Sequence, residues 1–206
     1  MGIILGALAA VTAAAVGVIK AVAIVGLAID GIRKIADSIM GLGKSLGLIN
    51  PEVEVDELGD KALQAEEAGI HPGGFPSYAE YFKKVEDYEL DPEKSKEFSE
   101  EEKMRKGMEL SAGIAIEAYE GFPMEELCIA VGKNPEFFTE AKIQEIGKLV
   151  CQDGQYVSDI VGYINGTEKN DSKVEAAIQM LTEVEKAADH GKSEKEALQS
   201  VLGLRE

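Results

Sequence analysis

Tryptophan is absent from this chain, and only six tyrosines and six phenylalanines stand among its 206 residues. Strand-built sandwiches and barrels draw on aromatic and β-branched residues, and outside the front end β-branched runs here are short. Two cysteines and two distant histidines, His71 and His190, supply neither a disulfide framework nor the ligand spacing of a zinc site. Cys128 follows Leu127 and Cys151 follows Val150, which reads as two buried free thiols. No glycine-rich phosphate loop follows a strand, and no histidine-bearing metal motif occurs, so no cofactor is implied. A nucleophile picked from Ser111 or Thr139 would be arbitrary, and the chain reads as non-enzymatic. Basic side chains are also short in supply, 21 against 38 acidic, for a net charge of −17. Such a surface repels phosphate backbones and argues against nucleic acid as a partner.

What is present in quantity is Ala, Glu, Lys, Leu, Ile and Met, the residues of helices. The fold class read from this pattern is all-α. A long apolar, Gly/Ala-rich N-terminal helix or helical hairpin leads, followed by an irregular acidic bundle of short helices. Three segments follow from the punctuation: 1–49, apolar and membrane-engaging or assembling; 50–76, a linker with one short helix; and 77–206, an acidic helical domain. Charge divides the same way. Residues 1–49 hold Lys20, Arg33, Lys34 and Lys44 against Asp30 and Asp37, and all the remaining excess of acid lies behind them.

The first segment meets no charge until Lys20 and none again until Asp30. Apolar residues recur at Ile4, Ala7, Val11, Ala14, Val18, Ala21, Val25, Ala28, Ile32, Ile35, Ile39, Leu42, Leu46 and Ile49. Steps of three and four without a miss predict a helical seam packed on another helix. Gly2, Gly6 and Ala10, then Ala13, Gly17 and Ala21, form small-xxx-small ladders through which helix backbones approach closely, and they are the candidates for self-association. Residues 30–49 read as an amphipathic helix. Its seam is Ile32, Ile35, Ile39, Leu42, Leu46 and Ile49, and Arg33, Lys34 and Lys44 on the other face are candidates for a membrane surface. Asn50-Pro51 is the expected stop.

A helix over Gly2–Ile29 would be about 40 Å long, more than the ~30 Å hydrocarbon core, although Lys20 falls awkwardly inside it. A secretory leader would carry positive charge ahead of its apolar core, and Met1-Gly2-Ile3-Ile4 offers only the terminal amine. Gly6 stands where a myristoylation signal wants Ser or Thr.

In the body, Ser77, Ser99 and Ser193 each precede a glutamate by three residues, the spacing of a capping box, and predict helices to about Leu90, Glu120 and Leu202. Asp56 opens a helix closed by Gly69, and the Glu100–Glu120 helix is amphipathic, weakened by Gly107 and Gly113. Asn134-Pro135 reads as a helix start. Asp91, Glu93, Ser95, Glu97, Ser99 and Glu102 occupy the ligand positions of a twelve-residue calcium loop. Lys96 replaces its obligatory glycine and Pro92 its second residue, so a turn followed by the Ser99 cap is the simpler reading.

Two functions from different classes follow. One is a membrane-engaging structural protein that self-associates through its Gly/Ala-rich N-terminal helices, membrane-associated with its acidic body cytoplasmic. The other is a cytoplasmic, soluble interaction or assembly module, a component, adaptor or delivered cargo of a phage-like or secretion apparatus, with its apolar front buried on protein. In both, the partner at residues 1–49 is a lipid bilayer or partner helices, and a homo-oligomer is expected.

Overall fold

The computed structural model describes residues 2–24, 29–119, 123–152 and 154–205, with side-chain surroundings from residue 8 onward apart from 19, 21–30 and 150–155. Among the described residues the chain is all-helical: α1 Gly2–Ile24, α2 Ile29–Ser45, α3 Val55–Glu67, α4 Tyr78–Glu86, α5 Glu100–Ala118, α6 Met124–Lys133, α7 Glu140–Gln152, α8 Gly154–Ile164, α9 Asp171–Ala188 and α10 Glu194–Leu202.

The hub is α5. The amphipathic reading holds for its first turns only, since Gly107, Met108 and every residue from Leu110 to Ala115 are buried. Helices α1, α2, α3 and α4 all pack on it. Helix α3 lies closest, and the reason is a pair of glycines. A Cβ placed on Gly59 would sit 1.7 Å from the Lys103 carbonyl oxygen, and one on Gly107 would sit 1.9 Å from that of Val55. At Gly113 a Cβ would meet the Tyr78 ring at 2.2 Å. The glycines that weaken α5 as an isolated helix are what let it hold neighbours on every side. One cluster of buried side chains runs from Leu8 in α1 to Val201 in α10, so the three segments read from the sequence share a core.

Local chemistry sets the element ends. Ser99 and Ser193 form full capping boxes with Glu102 and Glu196. Ser77 caps α4 by accepting from the Glu80 N–H, while the Tyr78 and Ala79 N–H groups donate to the Glu117 carboxylate of α5 at 2.6 and 2.7 Å. Helix α4 stops at Glu86, short of Leu90, because the following chain is pinned by Gln64, whose Oε1 accepts from the Asp91 N–H at 2.9 Å. Helix α2 ends a turn before Asn50-Pro51. Gly47, at φ 70°, lets the Leu48 N–H reach the Gly43 carbonyl and its own N–H reach that of Lys44, a Schellman closure. Gly69 and Gly166 close α3 and α8 the same way. Helix α7 starts at Glu140, not after Pro135. Phe137 and Phe138 are adjacent yet both buried, edge to face at 5.3 Å, and a turn on the Asn134 carbonyl turns both inward.

Among the α1 residues whose surroundings are described, the buried ones are Leu8, Ala15 and Val18, with Val11 packed beside them, and Ala14 points outward, so the seam runs one residue out of the expected register at that turn. Among the described residues no helix is long and apolar enough to cross a membrane, so the transmembrane expectation has no helix to carry it there.

Candidate functional site

Two surfaces are built from the residues the sequence singles out. The first is the outward side of α1. Its inner side rests on α5 and α6, and its outer side exposes Ala9, Ala10, Ala13 and Ala14, followed by Lys20. Of the small-residue ladders, Ala10 and Ala13 therefore face out. Gly17 is half-buried, where a Cβ would lie 3.7 Å from Glu125 Oε2 of α6. The side-chain surroundings of Gly2, Gly6 and Ala21 lie outside the described residues.

The second surface is a groove of about 550 Å3 between the polar side of α2 and the 135–140 turn. The seam beneath it is occupied by the protein itself. Ile32, Ile35, Ile39, Leu42 and Ile49 are buried in the common core and Leu46 is half-buried against it. Arg33, Lys34 and Lys44 all line the groove. Arg33 is bonded to Glu100 at the head of α5, and Lys34 Nζ reaches Glu136 across the mouth at 2.6 Å. Lys44 is half-buried and takes no ion pair among the described residues. Between them, burial of the Asp37 carboxyl pushes its pKa up from the ordinary 3.8, with Glu54 and Asp56 adding to the rise and Arg33 and Lys44 only partly opposing it.

Elsewhere, charge is spent on tying elements together, and sequence reasoning missed these ties. Asp60, 5% exposed, receives Lys103 Nζ at 2.8 Å and Gln64 Nε2 at 2.9 Å, together with the Ser95 hydroxyl. Burial alone would raise its pKa, but these bonds outweigh burial and lower it. The would-be calcium loop is thus laced to α3 and α5, with the Lys103 ammonium serving Asp60 and, at 2.8 Å, Ser95. Among the described residues no group of three or more His, Cys, Asp or Glu is placed to hold a metal ion.

Glu185 on α9 is fully buried between Lys142 of α7 and Lys192 of the loop before α10. Burial raises its pKa, and the two ammonium groups reverse that and hold the carboxyl below its ordinary 4.5. Lys142 also stands 4.2 Å over the Phe137 ring. A signal for Glu185 was available, since it falls in register with Ala177, Leu181 and Val184 on the buried side of α9. Cys128 is buried and its thiol is pushed up by desolvation, which leaves it unreactive; Cys151 lies outside the residues whose surroundings are described. The Ser111 hydroxyl donates to the Gly107 carbonyl at 2.8 Å inside α5. Comparison with protein-family models, with curated proteins and with solved structures gives no match.

Proposed function

We propose that the chain is a non-enzymatic assembly protein that self-associates through the outward face of α1. A second copy presents the same face, so Ala9, Ala10, Ala13 and Ala14 of each pack across a two-fold axis. The observation that carries this reading is the exposure of four alanines, with no charge before Lys20, on a helix whose other side is anchored in the body. Alanine side chains let two helix backbones approach toward the short end of the usual 8–10 Å separation, which gains close contact without ordering long side chains. The charge of −17 on each copy opposes association, so the complex strengthens with salt as that repulsion is screened.

Sedimentation velocity of the full chain tests this. The expected result is a dimer that dissociates on dilution, is favoured at 0.5 M over 0.05 M salt, and is abolished by Ala10→Arg with Ala13→Arg. An unchanged mass in the double variant refutes the α1 face. Flotation of the wild-type chain with liposomes, abolished by the same pair, would instead give this face to a bilayer.

A further inference from the structure

Helix α10 holds the body by a narrow apolar contact. It packs on α9, and the Gly203–Arg205 turn after it reaches back to α8. Ala197 and Val201 are buried, while the larger Leu198 and Leu202 are 38% and 47% exposed. An alanine and a valine bury little area, so polar ties carry much of the attachment. The Tyr163 hydroxyl donates to the Val201 carbonyl at 3.1 Å, and the Arg205 guanidinium stands 5.2 Å over the Tyr163 ring. The remaining ties meet at the fully buried Glu185. Lys192, just ahead of the Ser193 cap, and the Ser200 hydroxyl of α10 both bond its carboxylate, and Lys142 of α7 pairs with it from the other side. The charged groups around this cluster are engaged elsewhere or lie outside it. Lys186 faces Glu194 at 3.8 Å, and Asp189 and Glu196 stand beside Lys192. Asp159 of α8 is paired with Lys173, about three turns away along α9.

Protonating Glu185 removes the negative charge that lies between the Lys142 and Lys192 ammonium groups. Lys142 is 7% exposed, and its remaining partner among the described residues is the Phe137 ring. A charge stranded in a site closed to water is costly. Departure of α10 hydrates it without moving α7, because Lys192 is already a third exposed and keeps Asp189 and Glu196 as neighbours. We propose that α10 and the Gly203–Arg205 turn form a strap that lets go in acid as one unit while helices α1–α9 stay folded. Release uncovers Tyr163 and frees Ala197, Leu198, Val201 and Leu202, which share one side of the helix. Because its partners hold the Glu185 carboxyl below the ordinary 4.5, the strap is latched above that pH and opens as pH falls through the lower folded value.

Hydrogen–deuterium exchange of the full chain at pH 7 and about pH 3 tests this, each rate referred to that of an unfolded chain at the same pH. The expected result is that protection of residues 194–202 falls at least tenfold in acid relative to that of Met108–Ala115 in α5. Glu185→Gln lowers the protection of 194–202 already at pH 7 and loses the acid response. Should that variant fail to fold, Glu185→Gln with Lys142→Met leaves no buried charge stranded and must show protection of 194–202 that does not change with pH. Loss of protection in α10 and α5 together in the parent chain overturns the proposal. An acid response of 194–202 that survives in the folded single or double variant overturns it too.

Discussion

Replacing Gly107 by alanine adds one methyl group where two helices nearly touch. The new carbon would lie 1.9 Å from the Val55 carbonyl oxygen, against an ordinary carbon–oxygen approach of about 3.3 Å. Relief therefore needs α3 and α5 to part by roughly 1.4 Å, because the obstacle is helical backbone and not the end of a flexible side chain. That separation loosens Leu58, Ala62 and Ala65 of α3 against Met104 and Met108 of α5, all at 0% exposure. Overpacking in a close-packed core costs about 1–3 kcal/mol and more when nothing can yield. Alanine returns up to about 1 kcal/mol of helix propensity. A net loss near 2 kcal/mol is expected, which for a chain of this size lowers the melting temperature by about 4–8 °C.

Circular dichroism melts of Gly107→Ala and Gly59→Ala measure it, with Gly74→Ala, where a Cβ meets nothing within 4 Å, as the comparison. The two close-packed variants should combine to less than the sum of their separate losses, since helices already parted accept the second methyl cheaply. A Gly107→Ala protein melting within 2 °C of the parent would refute the reasoning.

Two further perturbations test the charged ties. Because the Glu185 pKa is depressed on folding, its contribution is fully present above pH 4.5 and is lost as pH falls through the lower folded value. Urea midpoints should therefore drop with acid below pH 4.5, and Glu185→Gln should flatten that drop while costing about 3 kcal/mol at pH 7, where it strands Lys142. An unaltered acid slope in the variant would count against the tie. Glu117→Ala removes the carboxylate that accepts from the first N–H groups of α4, and should cost about 1–2 kcal/mol and speed amide exchange across 78–86 before the rest of the chain. Uniform exchange in that variant would contradict the cap.

Much of the fold was legible because it is written in local signals. Ser99 and Ser193 announce their helices through a glutamate three residues on, and Gly69 and Gly166 close theirs by reaching the left-handed region. Contacts between elements were not legible. Gly59 and Gly107 look like defects in two separate helices until the crossing brings them together, and Glu117 looks like an ordinary solvent carboxylate until α4 sits over it. The α2 seam could be read as apolar from its spacing. Spacing does not say what covers it, and the cover is the chain's own core. The 137–138 pair misled for a related reason: a proline start suggests a helix, but burying two adjacent rings on one side needs a turn. At the candidate surfaces, Arg33, Lys34 and Lys44 were legible as a basic set, while the carboxylates that answer the first two come from Glu100 and Glu136, far along the sequence.

The account rests on the apolar opening segment being built into the body of its own chain. Hydrogen–deuterium exchange of peptides covering residues 8–18, in dilute full-length protein, tests this most directly. The account predicts exchange as slow as that of Met108–Ala115 in α5, released only on global unfolding. Rapid exchange of 8–18 while α5 stays protected would contradict it.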